Sequence, residues 1–405
     1  MQLVMVKNLE SLAKEHKLDK SIVIWGMGAG AWVDVIIKWL YENHYDKNLK
    51  LIVDNFKAVY CKEYKGISVK EPKELRKLDP GTFCVLLSVG YSDAIRRQVG
   101  AYGISDVYNL LDLQDKIIPL YRFHIPYTFT DRSKEKKYLC YILAGYEPKI
   151  WDSTLARIEA FQSEDIDYCL VSSGIYSPVL EELAGKNGWS YLYTEQNQVC
   201  HIQNLAIELH PKADYIFKID EDIFIGKDFF RYMIQEFHKI EKTGAYRIGF
   251  AVPVIPINCC GHVFYLDAIG KRAEFEEQFG RTYICHFSNV YAEEVAEYLW
   301  DTIDDFDIMA GRFLENSKND ILNAYFNIGC IMFTRERWYM MGKWPEQPGT
   351  DGMGADERFI YKDNWEKEMA IYEIRSVLAG HLAFKPQKER MLKYYAEHFE
   401  KFAVK

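Results

Sequence analysis

The chain has no CxxC pair, and its nine cysteines are odd in number, so it offers neither a zinc ribbon nor a disulfide framework; reduced, mostly buried thiols are the expectation. It has no excess of basic charge. Its 50 Lys and Arg against 59 Asp and Glu give −9, which argues against a general phosphate-backbone binder and lowers nucleic acid as a partner. It has no clean hydrophobic run. The most apolar window, Ile248 to Leu266, carries Pro253, Pro256, Asn258 and His262, and reads as buried strands and loop rather than a membrane span. Charges precede any apolar stretch long enough for a signal peptide, giving the expectation of a cytoplasmic protein. No low-complexity tract and no repeat at a period of about 20 to 50 residues is present.

What is there is an ordinary globular composition, 49% hydrophobic and 27% charged, over 405 residues, enough for two or three domains at roughly 150 residues each. Residues 21 to 30 (SIVIWGMGAG) read as a strand running into glycines, followed by a helix with Val33, Ile36, Ile37 and Leu40 on one face. A second strand ends at Asp54 and a third, from Phe83 to Val89, reaches Gly90, so residues 1–120 are expected to form a Rossmann-like parallel sheet. Periodicity fades between Leu113 and Lys137, and 121–135 reads as a linker. The alternation then restarts: strand Tyr138 to Leu143, helix from Ser153, strand Tyr168 to Val171, helix from Ser177, a short strand Ser190 to Tyr193, helix Val199 to Leu209, and strand Tyr215 to Ile219. The fold class is α/β, with a second nucleotide-binding-type sheet from 136 to 385 and a helical tail over 386–405.

The sharpest local signal is Tyr215 to Ile225 (YIFKIDEDIFI), an apolar strand that ends in three carboxylates. Asp220 and Asp222, two apart in extended chain, project to one side, at the strand end where α/β sheets bind ligands. Two hard oxygen donors there suit Mg²⁺ or Mn²⁺ bridging a diphosphate; the plain alternative is a solvated acidic turn.

The order of parts adds to this. A strand ending in Ala144-Gly145-Tyr146-Glu147, a strand ending in Val171-Ser172-Ser173, a helix carrying Asn204, then KIDEDIFI resembles the GT-A glycosyltransferases, especially the family-2-like bacterial enzymes of capsular and lipopolysaccharide glycans. The resemblance implies a metal-dependent transfer of sugar from a nucleotide-sugar donor to a glycan or lipid-linked glycan. It implies Asp222 and Asp220 as the metal's DxD pair with His381, in LAGHLAF, as a third ligand. Ala144, Gly145, Tyr146, Glu147, Ser172, Asn204, Lys218, Asp220 and Glu221 would line the donor site. Gly352 to Phe359 (GMGADERF) is similar to the GxED-type segment of inverting members, implying Asp356 as general base with Glu357 as its neighbour; Ala355 stands where the family often has Glu. Ser172-Ser173-Gly174 departs from the acidic pair that often contacts the nucleoside.

Each feature has a plainer reading. A lone histidine such as His381 is more often a satisfied core residue. Tyr265, Tyr325, Trp338 and Trp344 are core packing before they are sugar platforms. The acidic stretch Asp301 to Asp307 reads as a solvated helix or loop. Gly26, Gly28 and Gly30 with Asp54 could hold a dinucleotide, but the third glycine of GxGxxG is Ala31, and the continuation resembles Rossmann-like domains attached to sugar enzymes; a structural or small-ligand role is preferred to NAD(P). An oxidoreductase working from that turn and a nucleotidyltransferase are the rival functions. The tail's Met391, Leu392, Tyr395, Phe399 and Phe402 suit packing on its own domain better than peripheral membrane contact.

Overall fold

The computed structural model describes residues 2–27, 32–89, 93–111, 125–258, 261–282, 291–316, 319–322, 326–346, 356, 360, 363–364 and 367–405. The chain divides into two units: Met1–Arg122 with Glu336–Pro345, and Phe123–Arg335 with Glu346–Lys405.

In the first unit, β1 (Ser21–Trp25), β2 (Leu49–Val53), β3 (Glu63–Tyr64), β4 (Ile67–Lys70), β5 (Phe83–Leu87) and β6 (Val107–Asn109) form one sheet in the order β3-β4-β2-β1-β5-β6. All neighbours are parallel except the β3–β4 hairpin. Ile22, Val23, Ile24 and Trp25 are all buried, as are Phe83 to Leu87, because helices cover both faces of a parallel sheet and leave no polar side to alternate with. The helix Val33–Glu42 turns Val33, Ile36, Ile37 and Leu40 inward. Sequence order reverses between β1 and β5, the topological switch point. Residues 336–345 close this unit: the Arg76 guanidinium stacks 3.5 Å over the Tyr339 ring, which also packs against Tyr102.

In the second unit, β7 (Tyr127–Thr130), β8 (Tyr138–Leu143), β9 (Ile166–Ser172), β10 (Ser190–Thr194), β11 (Tyr215–Asp220), β12 (Ile223–Ile225), β13 (Ile248–Val254), β14 (Asn319–Leu322), β15 (Cys330–Thr334) and β16 (Ala370–His381) make a 10-stranded mixed sheet. Its order is β12-β16-β13-β15-β11-β8-β9-β10-β7, with β14 on β16. The core strands β10, β9, β8 and β11 are parallel, and the switch point lies between β8 and β11. The elements from Tyr138 to Ile219 fall where the periodicity puts them; Ser177 caps the helix Pro178–Asn187 by accepting from the Leu180 N–H.

Three expectations are corrected. Within the span read as linker, Tyr127–Thr130 is an edge strand paired antiparallel with β10; YTFT is made of strand formers, but Pro119 and Pro126 mask the pattern. The window from 248 to 266 holds β13 and then a helix, Gly261–Ala268, where a loop was expected. The acidic stretch is corrected only in part: Asp301 and Asp304 are exposed as expected, while Asp305 caps the helix Phe306–Phe313 and Asp307 pairs with buried Arg157 at 2.6 Å.

The tail packs inward. Met391, Tyr394, Tyr395 and Phe402 join a core with Trp300, Phe306 and Phe224, and Arg157 also donates to the carbonyls of Phe402 and Ala403. Tyr265, Trp338 and Trp344 are buried; Tyr325 lies outside the described residues. No helix among the described residues is long and apolar enough to cross a membrane.

Candidate functional site

β11 ends in Asp220, with Lys218 on the same face as a period of two requires, and the two-residue turn to β12 holds Glu221 and Asp222. Lys218 is 1% exposed, yet its ammonium is held at 2.6 Å from Asp220 Oδ1 and 2.9 Å from the Ile328 carbonyl. Burial works to lower the lysine, but Asp220 and Asp356 lift it above its ordinary value, so it stays a cation. The side chains of Asp220 and Asp222 remain 34% and 32% exposed. Gly329 packs closely beside Asp220: a Cβ there would stand 2.7 Å from Asn327 Oδ1 and 3.1 Å from Asp220 Oδ2. Burial pushes the Asp220 carboxyl up to about 6, with Asp222 and Asp356 adding to the rise against Lys218.

His381 arrives from 159 positions away by strand pairing. The antiparallel register sets Ile223 opposite His381, and its Nε2 stands 3.3 Å from Asp222 Oδ2. Its Nδ1 is 3.2 Å from the Ile257 carbonyl; a carbonyl only accepts, so Nδ1 carries the hydrogen and Nε2 faces the carboxylate. Burial alone would lower His381, but Asp222 raises it, and His381 and Lys218 in turn hold Asp222 below its ordinary value against burial. Carboxylates and an imidazole oriented by a backbone carbonyl are donor types that suit Mn²⁺ or Mg²⁺. Among the described residues no three His, Cys, Asp or Glu side chains are grouped closely enough to hold a metal ion.

Glu221 does different work. Its carboxylate accepts from the backbone N–H groups of Gly145 (2.9 Å), Tyr146 (3.0 Å) and Glu147 (3.1 Å) and from Trp151 Nε1 (2.8 Å). Burial lifts its pKa above the ordinary value and these donors offset part of that rise. It therefore shapes the loop after β8 across the switch point and has little left for a donor molecule. Other residues read as donor-binding are also engaged by the protein. The Ser172 hydroxyl donates to the Ala144 carbonyl, Glu147 pairs with Lys388, and Asn204 donates to Glu346 Oε1 at 2.7 Å. Tyr146 keeps an exposed ring while its hydroxyl donates to the Ser173 carbonyl, and Gly145, at φ 152°, sits where a Cβ would strike Ile175.

The helix Val199–Glu208 does not present its polar face to water. His201, Gln203 and Asn204 are buried; His201 and Asn204 meet Glu346, and Gln203 Nε2 donates to Asp356 Oδ2 at 3.2 Å. Asp356 is itself buried. Sequence reasoning missed Gln203, which stands between the apolar Ile202 and the polar Asn204 and carries no signal of its own. Glu357 lies outside the described residues.

In the first unit, the carboxylate of Asp54 is spent on the backbone: Oδ2 accepts from Met27 N (2.7 Å), and Oδ1 from Phe56 N (2.8 Å) and Lys57 N (2.7 Å). Gly26 has φ 110°, and a Cβ there would lie 2.4 Å from Val89. Gly28 and Gly30 lie outside the described residues.

No family model matches the chain, and no curated protein matches its sequence. Among solved structures it is similar to GalNAc-T7 with UDP, GalNAc and Mn²⁺, at 12% identity and TM-score 0.39, covering 65% of this chain and 48% of that one. It is also similar to the mannosyltransferase PcManGT from Pyrobaculum calidifontis in complex with GDP-Man and Mn²⁺, at 11% identity and TM-score 0.37, covering 70% and 66%. The chain thus spans less than two thirds of the length of either, and likeness at this level carries no functional argument.

Proposed function

We propose that the second unit is a metal-dependent glycosyltransferase of the GT-A type that moves a sugar from a nucleoside-diphosphate sugar to a hydroxyl of a glycan or lipid-linked glycan. The observation that carries this reading is the Asp220 and Asp222 pair at the β8/β11 switch point, a third exposed, with His381 delivered to Asp222 by register. Asp222, His381 and Asp220 would hold Mn²⁺ or Mg²⁺, which supplies neutralising charge to the departing diphosphate. Lys218 fixes the Asp220 carboxylate by gripping Oδ1, with Oδ2 lying close against Gly329.

In the reaction, Asp356 accepts the proton of the acceptor hydroxyl as its oxygen bonds to the anomeric carbon. The bond from that carbon to the diphosphate breaks and the electron pair leaves with the phosphate. Attack opposite the leaving group inverts the anomeric configuration. The setting in capsule or lipopolysaccharide synthesis follows from the sequence resemblance alone. Chemistry in the glycine turn is not favoured, because both oxygens of Asp54 are occupied by backbone N–H groups.

The test is nucleoside diphosphate release from UDP-, GDP- and dTDP-sugars with Mn²⁺, with the product's anomeric configuration followed by NMR. The expected result is turnover of one donor, abolished by EDTA and by Asp222→Asn, with inversion. Turnover indifferent to both treatments would remove the metal reading, and retention would remove Asp356 as base.

A further inference from the structure

A pair of wholly buried polar side chains in the second unit is linked to a carboxylate of the site. Tyr141, on β8, and Gln203, on the helix Val199–Glu208, are both 0% exposed, in surroundings where a leucine or methionine would pack without any polar atom to satisfy. They are joined to each other and to Asp356. The Tyr141 hydroxyl is 2.9 Å from Gln203 Oε1, and Gln203 Nε2 is 3.2 Å from Asp356 Oδ2. The direction of each hydrogen bond follows from chemistry. A carboxylate only accepts, so the amide must turn its NH₂ toward Asp356; its oxygen then faces Tyr141, whose hydroxyl donates to it. Tyr141 thus fixes the amide, and the amide fixes the carboxylate, across elements otherwise far apart in sequence.

We propose that Gln203, oriented by Tyr141, is a positioning residue for Asp356, setting the plane of the carboxylate that accepts the acceptor's proton. The inference rests on the reading of Asp356 as the base. An amide suits this role because its N–H can hold one carboxylate oxygen in place while the group itself carries no net charge. A proton acceptor must lie within hydrogen-bond reach of the hydroxyl it serves, and misplacement of about 1 Å can cost on the order of 10²-fold. The signature is therefore in kcat rather than in donor affinity.

The experiment compares Gln203→Met, Gln203→Glu, Tyr141→Phe, the double variant Tyr141→Phe/Gln203→Met and Asp356→Asn in the full chain, measuring kcat, donor KM and melting temperature. Gln203→Met should lower kcat by about 10- to 100-fold with donor KM within about twofold of the parent. Gln203→Glu, the same shape but with an acceptor facing an acceptor, should be slower still. Tyr141→Phe, which keeps the ring, should cost less, and the double variant should match Gln203→Met because Tyr141 acts through the amide. Parental kcat in Gln203→Met beside an inactive Asp356→Asn would overturn the positioning role while leaving the base in place. So would equal kcat in the Met and Glu variants, or a double variant showing the product of the two single losses. Parental kcat in Asp356→Asn would overturn the base itself and the positioning role with it.

Discussion

Each unit of this chain has an acidic group at the carboxyl end of a strand in its parallel sheet region, Asp54 after β2 and Asp220 at the end of β11, yet the acids are used in opposite ways. In the first unit, Asp54 spends both oxygens on three backbone N–H groups, and the Ser88 hydroxyl donates to the carbonyls of Trp25 and Gly26, so the described part of that region is knit together by its own atoms. In the second, Glu221 is the acid that does the knitting, while Asp220 and Asp222 face a lysine and a histidine with a third of their side-chain surface open. Position at the carboxyl end of a strand is therefore not enough to identify a chemical group. What distinguishes the two is whether the oxygen lone pairs are already satisfied by the backbone they organise.

The largest expected effect tests the open pair. Asp222→Asn should reduce Mn²⁺-dependent turnover by about 10³, equivalent to about 4 kcal/mol of barrier, while the melting temperature stays close to the parent's. A variant that melts much earlier and turns over normally would place Asp222 with Asp54 instead. The closed acids should behave in reverse. Asp54→Ala strands three N–H donors and should destabilise the first unit by about 2 to 3 kcal/mol in urea unfolding, with no change in turnover per folded molecule. Glu221→Ala should do both, costing about 3 kcal/mol and raising donor KM, because the loop it ties down adjoins the open pair.

The pH dependence sharpens the comparison further. Binding Mn²⁺ requires Asp220 to be ionised and His381 to release its Nε2 proton, so affinity should fall by about tenfold per pH unit for each displaced proton as the solution is acidified through the Asp220 value of about 6. In the metal-free protein, His381 is raised, so its contribution to stability is present below the ordinary imidazole value and lost as pH rises through the folded one. Asp222 is lowered, so its contribution is present above the ordinary carboxyl value and lost as pH falls through the folded one. The pair thus stabilises the metal-free protein between those limits, and the Mn²⁺-induced thermal shift should grow as pH rises through about 6. A shift that is flat with pH would separate His381 from the cation. The smallest effect expected is for Gly26→Ala against Gly145→Ala: both positions have positive φ and a crowded Cβ, but the first should lower stability alone, and the second should raise donor KM as well.

The legible parts of this structure were those written in short range. Apolar runs bounded by glycine and acid marked β1, β2, β5, β8 and β11, since buried parallel strands have no polar face to interrupt them. The alternation in KIDEDIFI already put Asp220 and Asp222 on one side and Glu221 on the other, though the sequence could not show that Glu221 is saturated by the loop after β8. His381 could be suspected only by resemblance, because its approach to Asp222 depends on the pairing of β12 with β16 across more than 150 residues. Gln203 and Asp356, 153 positions apart, left no local trace of their contact. Tyr127–Thr130 was obscured by the prolines near it, whose turn signals outweigh four residues of strand preference.

Residues 336–345 belong to the first unit, and this has a bearing on the order in which the chain can fold. As synthesis proceeds from the amino end, the first sheet has all six of its strands by residue 109, but Tyr102 and Arg76 wait for Tyr339 until more than two hundred further residues have been made. During that interval the nascent first unit carries an aromatic surface without its cover, while nearly all of the second unit's strands emerge. The second unit has a wait of the same kind, since Arg157 meets the carbonyls of Phe402 and Ala403 only after more than two hundred further residues have been made.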